Sequence, residues 1–374
     1  MDLVGQMLLD HLQQDRSDLI DATRICPPMR RRLTRDQNVS GRRFNADRFL
    51  NRFWDYPRLA RKLASDFDLF HIIDHSYGQL VLELPAERTI VTCHDTDTFQ
   101  CLLNPDDKRR SVLFRQMMKR TLRGFRRAAR VTCDSAATRA QLLAHDLVPA
   151  ERAVVVRNGV HRSCSPAPNP PADATTAKMI GAKSENQIDI LHVGSTIPRK
   201  RIDVLLRVFR DVKNSFPNAR LLRVGGYFSA EQSRLLTQLK LNESVILLPK
   251  VNREVLAALY RRASLVLLPS EREGFGLPVI EAMACGTPVV ATDLDVLREV
   301  GGDVAMYCPL GDITAWSKKV TEMLRLRCTD EHEWDKLKAA GIAQAAKFTW
   351  SEYASRMVNL YKSLSYQEPP TDGR

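Results

Sequence analysis

Long apolar runs are missing from this 374-residue chain. No stretch comes near the ~18 residues needed to cross a bilayer, so an integral membrane span is not expected. Also missing is any CxxC pair, since the eight cysteines (26, 93, 101, 133, 164, 285, 308, 328) are scattered. That scatter argues against a zinc site or a disulfide framework and suits reducing cytosol. The opening MDLVGQMLLDHLQQD carries acids early and lacks the basic start and cleavage site of a secretory signal. The expected compartment is therefore the cytoplasm. No solenoid-period repeat is visible, and no nucleic-acid module or run of aromatics is present, so nucleic acid is not an expected partner.

What is present is ordinary in amount and uneven in distribution. Hydrophobic residues make up 44% and charged residues 27%, which suits a soluble globular protein with length enough for two domains. The net charge of +12 is concentrated in KRRSVLFRQMMKRTLRGFRRAAR, 108–130, which holds ten Lys/Arg and no acid. Phe114, Met118, Leu122, Phe125 and Ala129 follow helical spacing there, with Arg115, Lys119, Arg123, Arg126 and Arg130 alongside. Two readings stand: a solvated basic face on a core-packed helix, or a surface for anionic lipid or another polyanion.

Short β-branched runs alternate with helical patterns: FHIID (70–74), TIVTC (89–93), ARVTCD (129–134), AVVVRNG (153–159), IDILHVG (188–194), ARLLRVG (219–225), SVILLP (244–249), ASLVLLP (263–269) and PVVATD (288–293). This alternation predicts parallel α/β sheets. The strands divide about evenly around a segment rich in Pro, Ala, Ser and Thr. The expected organisation is a first domain over 1–165, a linker over 166–187, a second domain over 188–349, a terminal helix over 350–366 and a tail over 367–374. Tyr353, Met357, Leu360 and Leu364 share one face of that helix, which must be buried, the first domain being one place for it.

The most informative stretch is EREGFGLPVIEAMACG, 271–286. It follows a predicted buried strand, so its loop lies at the carboxyl edge of a sheet, where open α/β folds bind ligands. Gly274 and Gly276 permit close backbone approach, and Pro278 marks a helix start whose free amides attract phosphate. Glu281, read as lying in the first turn, is placed to accept hydrogen bonds from ribose hydroxyls, and Glu273 from sugar hydroxyls. Together they describe a sugar-nucleotide site. A second loop agrees: Gly194 makes the turn after IDILHV, Ser195 follows, and Arg199 and Lys200 offer two cations to a diphosphate.

GSTIPRK (194–200), PSEREGFGLPVIEAMACGTPVVATD (269–293) and Glu299-Val300-Gly301 resemble the retaining glycosyltransferases of family four, with the GT-B architecture. The resemblance is strongest over 188–310. It continues through HDTDTF (94–99), CDSAATRAQLL (133–143), VVRNGV (155–160) and Trp350. It implies two doubly wound Rossmann-like domains facing a central cleft, with the terminal helix crossing back to the first. It implies that Glu281 holds the donor ribose and Glu273 faces the donor sugar. The amides of Phe275, Gly276 and Leu277 would contact sugar and diphosphate, and Arg199 and Lys200 the diphosphate. His94 would reach the anomeric centre, assisted by Asp95, with His75 a further acceptor-side candidate or a structural histidine. No metal and no cofactor is expected beyond the nucleotide-sugar donor. The acceptor would be a glycan or lipid-linked glycan, which would suit a protein peripheral on the inner membrane face.

Two departures stand out. Many relatives have Gly-Arg where this chain has Gly194-Ser195. Relatives also begin with a strand and a glycine-rich loop, whereas MDLVGQMLLDHL reads as the helix that follows, so the reading frame is expected to extend upstream of Met1. A non-catalytic sugar-nucleotide-binding protein and a sugar-nucleotide epimerase are the competing functions.

Overall fold

The computed structural model describes residues 2–34, 41–103, 110–182, 184 and 187–365. The chain forms two α/β units: residues up to 158 with the segment from 350 onward, and residues 159–349. The second unit therefore begins at Gly159, and the expected linker is largely the helix Pro170–Ile180. Asn169 caps it, accepting from the Ala172 N–H at 3.2 Å, and prolines occupy its first turn. Ala172, Thr176 and Ile180 recur at helical spacing and are buried. The proline-rich composition hid this periodicity.

In the first unit, β1 (Phe70–Ile72), β2 (Thr89–Cys93), β3 (Arg130–Cys133) and β4 (Ala153–Val155) form one parallel sheet in sequence order. The opening segment is helical over Asp2–Asp15, as its pattern predicts, and β1 is an edge strand of the sheet. That helix and the terminal helix Trp350–Ser365 pack together: Val4, Leu8 and Leu12 join Tyr353, Met357 and Leu364 in one core with Ile90 of β2. A polar stitch runs through this layer. His71 Nδ1 lies 2.7 Å from the Tyr361 hydroxyl, and its Nε2 lies 2.7 Å from Thr92 Oγ1.

The basic segment is helical over Val112–Phe125, shorter than its charge pattern suggested, and Lys108 and Arg109 lie outside the described residues. The helix stops as the chain turns into β3. Its Gly124 meets the backbone of Gly78 so closely that a Cβ would sit 2.2 Å from the Gly78 carbonyl oxygen. Met118 and Phe125 are buried, while Arg115, Lys119 and Arg123 face solvent.

In the second unit, β5 (Ile188–Val193), β6 (Ala219–Val224), β7 (Val245–Leu248), β8 (Leu265–Leu268), β9 (Val289–Thr292) and β10 (Met306–Cys308) form a parallel sheet ordered β10-β9-β8-β5-β6-β7. Only β10, three residues long, escaped the sequence pattern. Val, Leu and Ile side chains of the sheet pack against the helix Ile202–Ser215 in a buried core. Strand order reverses between β5 and β8, so the loops leaving these neighbours flank a topological switch point.

Candidate functional site

The two loops singled out in the sequence meet at that switch point because β5 and β8 are paired, Ile190 with Leu265 and Leu191 with Val266. The Glu271 N–H donates to the Arg199 carbonyl at 2.8 Å. Arg199 Nη1 donates to the Arg272 carbonyl at 2.7 Å and lies 3.4 Å from Glu273 Oε2. Lys200 Nζ donates to Glu273 Oε1. Glu273, Arg199 and Lys200 thus form one largely buried ion cluster, and removing any member would leave the others short of a partner. The Lys200 stem runs under Gly194, where a Cβ would meet its methylenes at 3.6 Å. Ser195, the next residue, is exposed.

The loop after β8 enters the helix Leu277–Ala284 through Gly276, whose φ of 97° suits glycine and whose Cβ would fall 2.6 Å from Leu297 Cδ2. Gly276 offers no side-chain cap, Pro278 has no N–H and the Val279 N–H donates to the Gly276 carbonyl at 2.9 Å, which makes the Leu277 N–H the helix-start donor for an anion. Phe275 turns its ring into the core, edge-on to Phe348 at 5.9 Å, which leaves its backbone as the contact group. Glu281 sits in the second turn, one turn deeper than its spacing suggested. It is buried and accepts from the Tyr260 hydroxyl at 3.0 Å. Burial raises its pKa to about 7, although the Tyr260 bond and Arg253 pull the other way.

Sequence reading missed a pair beneath the Gly194 loop. His192 of β5 and Arg223 of β6 are directly opposite in the ladder, and both are fully buried. Arg223 Nη2 donates to the Gly194 carbonyl at 2.7 Å and Nη1 to the Gly226 carbonyl at 3.2 Å. A charged residue inside the apolar run LLRVG was the available signal.

In the first unit the expected residues gather at the carboxyl ends of neighbouring strands. His94 follows β2, His75 follows β1 and Asp134 follows β3. His94 Nδ1 lies 2.7 Å from Asp134 Oδ2, and Nε2 lies 2.7 Å from the Ile73 carbonyl. Both partners only accept, so the two hydrogen bonds are complete together only when the ring is protonated on both nitrogens. Burial alone lowers its pKa, but the charge and hydrogen bond of Asp134 outweigh that and raise it above 6.5. His75 differs. Its Nδ1 accepts from the His94 N–H at 3.4 Å, which leaves the proton on Nε2, 3.7 Å from Asp95 Oδ1. Burial lowers its pKa. The two adjacent histidines are thus pushed in opposite directions from the ordinary value. Asp134 is a third residue the sequence reading did not select.

A groove lined by Ile188, Ser264, Pro288, Trp334 and Lys338 opens at the opposite, amino end of the second sheet and contains none of these candidates. Among the described residues no His/Cys/Asp/Glu group is arranged to hold a metal ion, and no helix is long and apolar enough to cross a membrane.

Two parallel α/β units, one with its ligand loops meeting at a switch point, make the GT-B fold, and solved structures agree. Sucrose-phosphate synthase from Thermosynechococcus elongatus superposes with a TM-score of 0.67 at 23% identity, covering 83% of this chain and 77% of that one. Anabaena Alr3699/HepE in complex with UDP and glucose gives 0.68 at 19% identity, covering 84% and 83%. Residues 8–163 match the family model described as Glycosyltransferase Family 4, and residues 173–348 the model for Glycosyl transferases group 1. O-antigen chain mannosyltransferase B of Escherichia coli is 30% identical over 74% of this chain and 71% of its own length. The serotype-specific mannosyltransferase WbdA of Escherichia coli is 24% identical over 82% of this chain, which spans only 38% of that longer protein. The chain belongs to glycosyltransferase family 4.

Proposed function

We propose that this glycosyltransferase moves a hexose from a nucleotide-sugar donor to a glycan or lipid-linked glycan acceptor, with retention of anomeric configuration. The observation that carries the donor half is the Arg199–Lys200–Glu273 cluster, set at a switch point beside an uncapped helix start and a buried carboxylate. In this reading the Leu277 N–H, Arg199 and Lys200 receive the diphosphate, and Glu281 takes the ribose hydroxyls. Glu273 fixes both cations and presents its remaining acceptor capacity to the sugar. The bond between the anomeric carbon and the phosphate oxygen breaks while the acceptor oxygen bonds on the same face. The departing diphosphate takes the acceptor's proton, and the cations stabilise the charge growing on it. No metal ion is required in this scheme. In the first unit, His94 contributes as a fixed cation rather than as a base, because both its nitrogens are engaged.

The names of the curated relatives make mannose the first sugar to try. The decisive experiment incubates the protein with UDP- and GDP-linked hexoses and glycan acceptors. Release of nucleoside diphosphate and the mass and anomeric signals of any product are then followed. Binding without turnover would favour a non-catalytic sugar-nucleotide-binding protein, and donor conversion without acceptor would favour an epimerase. Indifference to every donor refutes the proposal.

A further inference from the structure

We propose that Arg223 is a positioning residue for the donor diphosphate, acting through the Gly194–Ser195 peptide; this rests on the donor-site reading above. Arg223 is fully buried, and among the described residues its hydrogen bonds go to the Gly194 and Gly226 carbonyls. Its Nε and both ring nitrogens of the facing His192 have no hydrogen-bond partner among the described residues. Burial pulls the Arg223 pKa down to about 10, with no carboxylate acting in the other direction. Burial, then Arg223 and Lys200, hold His192 far below its ordinary value, so it adds no second positive charge beside the guanidinium. An unpaired buried cation is costly, and the fold keeps one beneath the anion-ready loop.

The backbone shows how that charge is used. Gly225 has a φ of 123°, and a Cβ there would lie 2.0 Å from the Gly194 carbonyl oxygen, so the loops after β5 and β6 are in direct backbone contact. Arg223 spans both. In a planar trans peptide the Gly194 carbonyl and the Ser195 N–H point in opposite directions. Holding the carbonyl on the buried guanidinium therefore turns the Ser195 N–H away from the core, on the loop that ends in Arg199 and Lys200. A carbonyl bonded to a cation also polarises its peptide, making that N–H a stronger donor. An anion in the loop gains an aimed amide and the field of a third cation, and supplies the counter-charge that Arg223 lacks.

The test uses the full chain with inorganic pyrophosphate and, separately, UDP and GDP as probes. Pyrophosphate is expected to raise the melting temperature of the wild type, and Arg223→Met to lose most of that increment, its affinity by calorimetry falling on the order of tenfold. Arg223→Lys, which keeps the charge without the fork, should retain the larger share. A purely structural staple would lower the melting temperatures of empty and loaded protein equally and leave the increment unchanged. If Arg223→Met does not fold, Arg223→Gln, which keeps a donor for Gly194 but no charge, takes its place. Pyrophosphate affinity equal to wild type in either neutral variant overturns the inference. Wild type that binds pyrophosphate yet transfers no sugar would refute the transferase reading alone. Sugar transfer with an unchanged donor KM in the neutral variant would refute only the role of Arg223.

Discussion

Glu281→Gln is the most exacting perturbation, because it separates the cost of a buried charge from its use. Glutamine keeps the size of the side chain and an acceptor for the Tyr260 hydroxyl. The carboxyl of Glu281 is raised from 4.5 to about 7 by burial. The sign follows from linkage: between these values the folded state binds more protons than the unfolded one, so stability falls as pH rises through that window. The shift amounts to ~3 kcal/mol against the ionised form once both states have titrated. At pH ~5.5 only part of that penalty applies, and at pH ~8.5 nearly all of it, so the advantage of glutamine should grow by about 2 kcal/mol between the two. Urea unfolding of both proteins at the two pH values measures this directly. Binding should move the other way, with nucleoside-diphosphate affinity weakened by ~1–3 kcal/mol as hydrogen bonds to a charged acceptor are lost. A stability difference that does not change with pH would refute the buried-charge reasoning, and unchanged nucleotide affinity would remove Glu281 from the ribose.

Lys200→Ala and Arg199→Ala should lower kcat together with kcat/KM, since their charge matters most as the diphosphate departs; a rise in KM alone would assign them to ground-state binding. Asp134→Asn should lower the pKa of His94, and His94's contribution to stability, present at low pH and lost as pH rises through its folded pKa, should then disappear at lower pH than in wild type. Identical pH profiles would show that Asp134 does not hold the charge. Excess chelator should leave turnover intact, and activity restored only by added magnesium or manganese would contradict the metal-free scheme. The helix Val112–Phe125 begins with Val112 and Leu113, 76% and 65% exposed, beside exposed Arg115 and Lys119. Vesicles containing anionic lipid should therefore retain the protein at low salt and release it at high salt, and binding indifferent to both leaves only a solvated face.

The strands were legible because most are short runs of buried apolar residues bounded by turns, and nine of the ten described strands lie where that pattern put them. The three residues of β10 were too few for a pattern. The linker reading failed at Pro170–Ile180, where composition outweighed the spacing of Ala172, Thr176 and Ile180. At the site, glycines and carboxylates in one continuous stretch announced a ligand loop, and the pairing of β5 with β8 brought Arg199, Lys200 and Glu273 together as their placement at strand ends suggested. Partners distant in sequence were not readable. Tyr260 reaches Glu281 from another helix, Asp134 reaches His94 across a strand, and Arg223 opposes His192 only through the ladder register.

The packing of Trp350–Ser365 against Asp2–Asp15 makes the first unit discontinuous in the chain. During synthesis, the opening helix and the four strands emerge first, yet the side chains that cover Ile90 arrive only after the whole second unit has been made. Until then Val4, Leu8 and Leu12 lack much of their apolar cover, while residues 159–349 already hold everything needed for their own core. Domains fold as units as they leave the ribosome. The later-made unit is thus free to finish first, and the earlier one must wait with an apolar face open to chaperones and to other nascent chains. A release of the chain before residue 350 would leave a folded second unit attached to an unfinished first one.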